Sequence, residues 1–417
     1  MMSHTKPIKN YYAWGLVAML WVVAFLNYLD RILITSMRDP IVSEFSLTDA
    51  QFGLLTAVFL WSYGIFSPFG GYIADRYSRK KVIVFSVLVW SVVTLITGYV
   101  TDFNQLLITR FLMGISEACY IPAALAIITD YHRGRTRSLA TGLHMSGLYA
   151  GLALGGLGGY IAEMWGWRSG FHVFGVFGVL YSFVLLYGLK DYPKTGDPGE
   201  AQQTEVQETE VQPKFNLAEV FKTLFSKFSY MILMLYFAVL GIVNWLVNGW
   251  LPTFLKEHFN LNLGEAGISA TGYIQIGSFL GVVLGGVLAD RWSKKNQKGG
   301  IYMVIIGFTI GAPFLFLMAS TLSMTIAIVA MIIFGLARGF NDANLMPILR
   351  QVADSRFVAT GYGILNFLST IIGGVMVYVG GALKDANVSL SLVYQFGAVA
   401  LLLATWLLFT IKLKKDA

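Results

Sequence analysis

Charge is what this sequence has least of. Asp, Glu, Lys and Arg make up 13% of its 417 residues, where a soluble domain carries about 25%. Cysteine is nearly absent as well. Cys119 stands alone, so no intrachain disulfide can form, and with five scattered histidines there is no His/Cys spacing suited to a metal. The phosphate-binding loop of an ATP-driven pump is missing, as is the G-x-S-x-G turn that presents a nucleophilic serine. These absences exclude the common enzyme classes and leave no expected cofactor and no metal. The net charge of +7 does not point to nucleic acid, because the basic residues sit in short segments between apolar runs.

Those apolar runs are what the chain has in abundance. Hydrophobic residues make up 56% of it, and stretches such as Trp14–Leu29, Val82–Val100, Ile301–Ala319 and Leu392–Ile411 recur from end to end. About 20 apolar residues span a bilayer as a helix, and a spanning segment must satisfy its own backbone hydrogen bonds. The alternating strands of about ten residues that build a transmembrane barrel are not seen. The first run is too long for a cleaved leader and ends in charged residues. The sequence therefore predicts an all-α membrane protein of 12 transmembrane helices, at about 12–37, 50–74, 82–100, 104–128, 138–162, 168–190, 228–254, 265–289, 300–319, 322–347, 357–383 and 388–411.

Counting Lys and Arg between the spans gives 23 on the side of the termini and 4 (Arg38, Arg168, Lys256, Lys384) on the other. Positive residues collect on the cytoplasmic side, so both termini are expected in the cytoplasm and the chain in the plasma (inner) membrane. Residues 191–213 read DYPKTGDPGEAQQTEVQETEVQP, too polar to bury a core, and Phe215–Lys227 has the spacing of a short helix on the membrane surface. This divides the chain into an N-terminal six-helix bundle (1–190), a cytoplasmic linker (191–227) and a C-terminal six-helix bundle (228–417).

The two halves repeat each other. Gly71–Lys81 reads GYIADRYSRKK after span 2, and Gly286–Lys295 reads GVLADRWSKK after span 8. In span 4, Gly114–Pro122 reads GISEACYIP, and in span 10, Gly339–Pro347 reads GFNDANLMP. Arg137–Gly142 (RSLATG) opens span 5 as Arg356–Gly361 (RFVATG) opens span 11. Duplicated halves with a site near the bilayer midplane are a plan of secondary transporters.

The loop after span 2, with its copy after span 8, resembles the signature of the major facilitator superfamily over essentially the whole chain. Asn27–Arg31, reading NYLDR, and Arg110 followed by Glu117 resemble the anion:cation symporters, carriers of sugar acids, sialic acid and other organic anions. The resemblance implies two pseudo-symmetric bundles, alternating access, and a cytoplasmic gate made by Gly71, Asp75, Arg76, Arg79, Asp290 and Arg291, which latches the halves in the outward-facing state. Gly71 would allow close helix approach there.

Six charges fall inside the membrane: Asp30 and Arg31 in span 1, Arg110 and Glu117 in span 4, Arg338 and Asp342 in span 10. Each unpaired charge at a helix centre costs about 2.5–3.5 kcal/mol, so they are expected to pair or to face water. Arg338 and Asp342, four apart, share a helix face; Arg110 and Glu117 share one over two turns. Asp30 and Arg31 are adjacent and need different partners. Arg31 offers a planar fork to a substrate carboxylate. Asp30 and Glu117 are the candidate proton carriers, since a carboxyl in low dielectric holds its proton more tightly. Arg110, Arg338 and Asp342 would complete an ion-pair network. Asn244 and Asn248 in span 7, with Tyr28, Tyr63, Tyr120 and Tyr149, could bind hydroxyls of a sugar-like substrate, and His144 is a further titratable group. The glycines of span 5 (Gly147, Gly151, Gly155, Gly156, Gly158, Gly159) predict close helix packing. The expected activity is proton-coupled import of an organic anion such as a hexuronate, aldonate or sialate. Sodium is the alternative coupling ion, and spinster-type lysolipid transport the alternative function. The expected partners are the small organic anion, a proton and membrane lipids, with the chain acting as a monomer and binding no nucleic acid.

Overall fold

A computed structural model of the chain describes residues 10–132, 136–192, 217–354 and 357–413. Most of the linker, Arg356 and the side chain of Asp75 lie outside the described residues.

All regular structure among the described residues is helical. Among the described residues, eleven helices are long and apolar enough to cross a membrane. The remaining expected span, span 5, is helical over Arg137–Leu154, tightens into a 3-10 turn at Gly155–Leu157 and resumes over Gly158–Trp165. Its glycines leave the backbone little intrinsic preference for an α-helix, and they also explain why it is the least apolar span. Span 4 is broken too, into Phe103–Glu117 and Tyr120–Tyr131. Pro122 has no N–H to offer the Ala118 carbonyl, so the helix opens just after Glu117.

Span 1 is longer than the sequence suggests. After Asn10–Leu33 it passes through a 3-10 turn, Ile34–Met37, into Arg38–Phe45. It stops at Ser46, whose backbone is left-handed (φ 51°), with Thr48 starting span 2 through a capping box with Gln51. Span 7, Phe228–Phe259, stops the same way at Asn260 (φ 52°), and Asn262 caps span 8. In both, the next residue's N–H closes the helix on a carbonyl five residues back, Leu47 on Val42 and Leu261 on Lys256, each at 3.1 Å. The same stop-and-restart chemistry thus recurs in both halves.

Packing repeats as well. Spans 1 and 5, 2 and 4, and 3 and 6 pack in the first half, and 7 and 11, 8 and 10, and 9 and 12 in the second. Between halves, span 2 lies along span 11 and span 5 along span 8. These two crossings need glycine. A Cβ on Gly156 would meet the Gly267 carbonyl, one on Gly267 the Gly156 carbonyl, and one on Gly381 the Asp49 carbonyl. Other glycines of span 5, Gly147 and Gly151, face span 1 backbone in the same manner.

The two ends of this interface differ. At the end away from the termini, charges bridge the halves. Asp39 accepts from Arg38 (2.7 Å) and pairs with Lys256; Asp49 accepts from Arg38 Nε (2.8 Å) and from Lys384 (3.1 Å), which also meets Glu257 at 3.0 Å. Asp385 accepts the Asp49 and Ala50 N–H groups at 2.8 Å each, capping span 2 from the other half. Glu163 accepts the Leu263 N–H at 2.6 Å. At the termini end, Arg79 pairs with Asp130, Asp191 accepts from Ser78 and the Lys80 N–H, and Lys298 donates to Ile411 O, all within one half. Among the described residues, no ion pair joins the halves there. Arg76, Asp290 and Arg291 are exposed, and nothing lies within 4 Å of a Cβ placed on Gly71, Gly142 or Gly363. Gly71 was expected at a close approach; here it faces open space, with no other helix against it.

Candidate functional site

The first half gathers four charges at its centre. Span 1 brings Asp30 and Arg31, and the broken span 4 brings Arg110 and Glu117, all buried. Adjacent on one helix, Asp30 and Arg31 take different partners. Asp30 Oδ2 accepts from Thr94 of span 3 at 3.3 Å, and Arg31 Nε donates to Glu117 Oε2 at 2.7 Å. The Arg31 guanidinium is flanked by aromatic faces, its carbon 4.3 Å from the Tyr63 centroid, 4.5 Å from Tyr28 and 5.3 Å from Phe59. Such faces favour a cation while presenting its edges elsewhere. Nη2 of Arg31 and Oε1 of Glu117 make no hydrogen bond.

Arg110 sits beneath this pair. Its guanidinium carbon is 5.1 Å from the Phe59 centroid, its Nη1 meets the Met113 sulfur at 3.0 Å, and its Nε and Nη2 have no partner. Helical spacing set Arg110 and Glu117 on one face, yet the close ion pair of Glu117 is with Arg31. Asn27 is fully buried with both amide atoms unpartnered, a polar group that sequence reasoning passed over although it opens the NYLDR motif.

Span 10 adds the charges of the second half. Arg338 Nε stands 4.0 Å from Asp342 Oδ2, too far for a hydrogen bond. Asp342 accepts instead from Asn341 (3.1 Å) and, across the interface, from the Tyr149 hydroxyl of span 5 (3.2 Å). Tyr236 of span 7 donates to Asn341 at 2.7 Å, so a hydrogen-bonded chain runs from span 7 through span 10 into the other half. Tyr362 of span 11 lies within electrostatic reach of Tyr28, Tyr63 and Asp342. Tyr236, Asn341, Tyr362 and Thr94 were missed by the sequence reading. Only the N-D pair beside Arg338 gave any signal.

The other expected site residues divide. Tyr28 and Tyr63 line the Arg31 guanidinium. Asn244 and Asn248 are half-buried on span 7, Asn244 Oδ1 without a partner. Tyr120 departs from expectation: it is fully buried, donates to the Leu20 carbonyl at 2.8 Å and packs on Trp90 and His144. The break before it turns its ring into the first-half core, away from the interface. His144 is buried beside it, both ring nitrogens unpartnered. Arg79 ties the loop to span 4 within its own half, and among the described side chains of the expected gate none pairs with the other half. No group of His, Cys, Asp and Glu that could hold a metal is found among the described residues.

Comparison with known proteins agrees with this architecture. Residues 20–378 match the model of the Major Facilitator Superfamily. The chain is 25% identical over 375 residues to a probable sulfoacetate transporter of Cupriavidus necator, covering 87% of this chain and 86% of that one. It is 24% identical over 431 residues to a probable galactarate/D-glucarate transporter of Escherichia coli K12, covering 95% and 94%. Among solved structures, a bacterial homologue of the human lysosomal transporter Spinster, inward-facing and occupied, superposes with a TM-score of 0.77 at 22% identity over 97% of both chains. The relatives are named as transporters, not enzymes, and with helices that cross the membrane and a family match over most of its length, this chain belongs to the Major Facilitator Superfamily as a multi-pass membrane transporter.

Proposed function

We propose that the protein imports a small organic anion, a sugar acid being the class that fits best, by proton-coupled symport. The observation that carries this reading is the buried Arg31–Glu117 pair with one guanidinium nitrogen free of partners. Arg31 is charged at any physiological pH. While Glu117 is ionised, it holds Arg31 and competes with a substrate carboxylate. Once Glu117 is protonated, the fork is released and a carboxylate can take it bidentately. Protonation and substrate binding then favour each other, which is what symport requires. Asp30, on Thr94, is the second candidate proton carrier. Tyr28, Tyr63, Asn244 and Asn248 would meet the substrate's hydroxyls; Tyr120 is left out.

With both termini in the cytoplasm, as the distribution of Lys and Arg favours, the end where no ion pair joins the halves among the described residues would face the cytoplasm and would be the end that opens to release an imported substrate. The halves 1–190 and 228–417 would rock about the midplane, with 191–227 as their tether. The names of the relatives, transporters of sulfoacetate and of galactarate and glucarate, support a small anionic substrate. A lipid carrier would have less use for six charges about the midplane, because an apolar tail neutralises none of them.

The test is an uptake screen of organic acids in proteoliposomes, with and without an imposed pH gradient. Saturable uptake driven by an inward proton gradient is expected. Uptake that follows sodium and ignores the pH gradient would remove the proton. Glu117→Gln should abolish concentrative uptake but keep exchange; retaining both would exclude Glu117 as the carrier. Arg31→Lys should weaken uptake at least about tenfold, the scale of one charged hydrogen bond lost.

A further inference from the structure

We infer that the substrate has two acidic groups, one held by Arg31 in the first half and the other by Arg338 in the second. This rests on the proposed anion transport and narrows its substrate class. Arg338 is the less obvious of the two. Its side chain is 11% exposed, and both Nε and Nη1 are buried without a hydrogen-bond partner. A guanidinium has five N–H donors, and a buried cation is costly unless it is paired and hydrogen-bonded.

Asp342, one turn away, does not answer that need. Its carboxylate is held by Asn341 on its own helix and by Tyr149 from the other half, and Asn341 is fixed by Tyr236. These three contacts keep Asp342 at 4.0 Å from Arg338 Nε. Its negative charge offsets that of Arg338 at a distance and leaves the donors of the fork open.

Arg31 is in a matching position. Nη2 has no partner, and the face of Tyr28 lies 4.5 Å from its guanidinium carbon. Tyr28 is also within electrostatic reach of Arg338. The two open guanidinium groups therefore lie in opposite halves within the electrostatic range of the same tyrosine.

The charge balance leads to the same substrate. Three arginines and three carboxylates share the centre, so with every carboxylate ionised the cluster is neutral. If Asp30 and Glu117 both take protons, it is left with two excess positive charges. A dianion cancels both. A monoanion leaves one cation buried while the halves close over it, and that charge is costly in the membrane. A site with donors built for a second acidic group rejects an analogue that lacks it, because those donors stay unpaired. A dianion spanning Arg31 and Arg338 would also link the two halves directly, so that binding favours closure.

The experiment compares matched acids on the full-length protein, by binding in detergent and by uptake in proteoliposomes. Galactarate is set against galactonate, which has a hydroxymethyl group in place of one carboxylate. Sulfoacetate is set against glycolate. The wild-type protein should prefer the dianion of at least one pair by about tenfold or more. Arg338→Gln should remove that preference by weakening the dianion, while the monoanion binds no more weakly than before, because it now cancels the single excess charge that remains. Equal affinities within both pairs, or an Arg338→Gln variant that weakens both members equally, would overturn the inference and leave anion transport standing. Binding of none of the four acids would count against both. A melting curve shows whether Arg338→Gln folds. If it does not, Arg338→Lys carries the test: a point charge in place of the fork should narrow the preference, and an unchanged preference overturns the assignment.

Discussion

The two ends of the interface use the same residue types for opposite purposes. At the far end, Lys256 and Lys384 of the second half pair with Asp39 and Asp49 of the first, and Arg38 holds both of those carboxylates within its own half. At the termini end, which holds most of the basic residues, Arg79 and Asp191 pair only within their own half. Density of charge therefore does not decide which end is shut. What decides it is where glycines let the helices meet. Gly156 on Gly267 and Gly381 on Asp49 bring the far end together, and charged partners then come within reach. At Gly71 and Gly142 nothing lies within 4 Å of an added Cβ, and Arg79 pairs with Asp130 of its own half. The Lys256–Asp39 pair is a surface pair of about 0–1 kcal/mol and the charged contacts of Asp49 are of about 1.5–3 kcal/mol, so the far end is a closure that substrate and proton binding can outweigh.

The most severe way to break this contrast is to fill the glycine crossing. Gly156→Leu puts a side chain against the Gly267 carbonyl, and neither backbone can yield without moving its helix. The far end should be wedged open and uptake should fall more than about tenfold, a few kcal/mol of overpacking. Spin labels at positions 46 and 260 would report it as a longer distance; an unchanged distance would mean the crossing does not hold that end shut. Gly71→Ala is the matching change at the other end. It meets nothing within 4 Å, so the far-end distance should stay the same, while uptake slows because closing the termini end needs that space. Full uptake in Gly71→Ala would show that this end closes without Gly71.

A milder change acts on the charges. Asp49 accepts from both Arg38 and Lys384. Asp49→Asn removes the acceptor charge and leaves two cations facing each other. Charged hydrogen bonds contribute about 1.5–3 kcal/mol, so the far-end-closed population should drop about tenfold in the same distance measurement. No change would mean that glycine packing alone sets the closure.

Much of this was legible in the sequence, and the parts that were not have a common cause. The spans follow from hydrophobic runs, and the halves from motifs repeated in order. The buried charges are visible as the few charged residues within those runs. Partners are another matter. Arg31 and Glu117 are 86 residues apart, and periodicity ranks the face of a helix without saying which helix lies opposite. That is why Arg110 was as good a partner for Glu117 on paper, and why the chain from Tyr236 through Asn341 and Asp342 to Tyr149 was not foreseen. Tyr120 was misjudged for a local reason: Pro122 breaks span 4, and helical phase cannot be carried through the break. The end of span 1 was missed although its signal was present, since Ser46-Leu47-Thr48 and Asn260-Leu261-Asn262 both read as a stop followed by a cap.

The smallest expected effect tests whether the far-end charges act singly or as a network. Lys256 pairs with Asp39, and both side chains are 34% exposed. Asp39 also accepts from Arg38 at 2.7 Å, so Lys256→Gln leaves it paired. As a separate surface pair it should shift the far-end equilibrium by less than about fivefold, within the 0–1 kcal/mol of such pairs, and the shift should shrink further in high salt. Combined with Asp49→Asn the outcome changes, because Arg38 is the residue that both carboxylates share. Once Asp49 is lost, Arg38 has only Asp39 left, and with Lys256 gone as well nothing from the second half reaches that pair. The double variant should therefore open the far end by more than the product of the two single effects, an interaction of the size seen for residues in one hydrogen-bonded cluster. A shift equal to the product would show two independent pairs, with no coupling carried through Arg38.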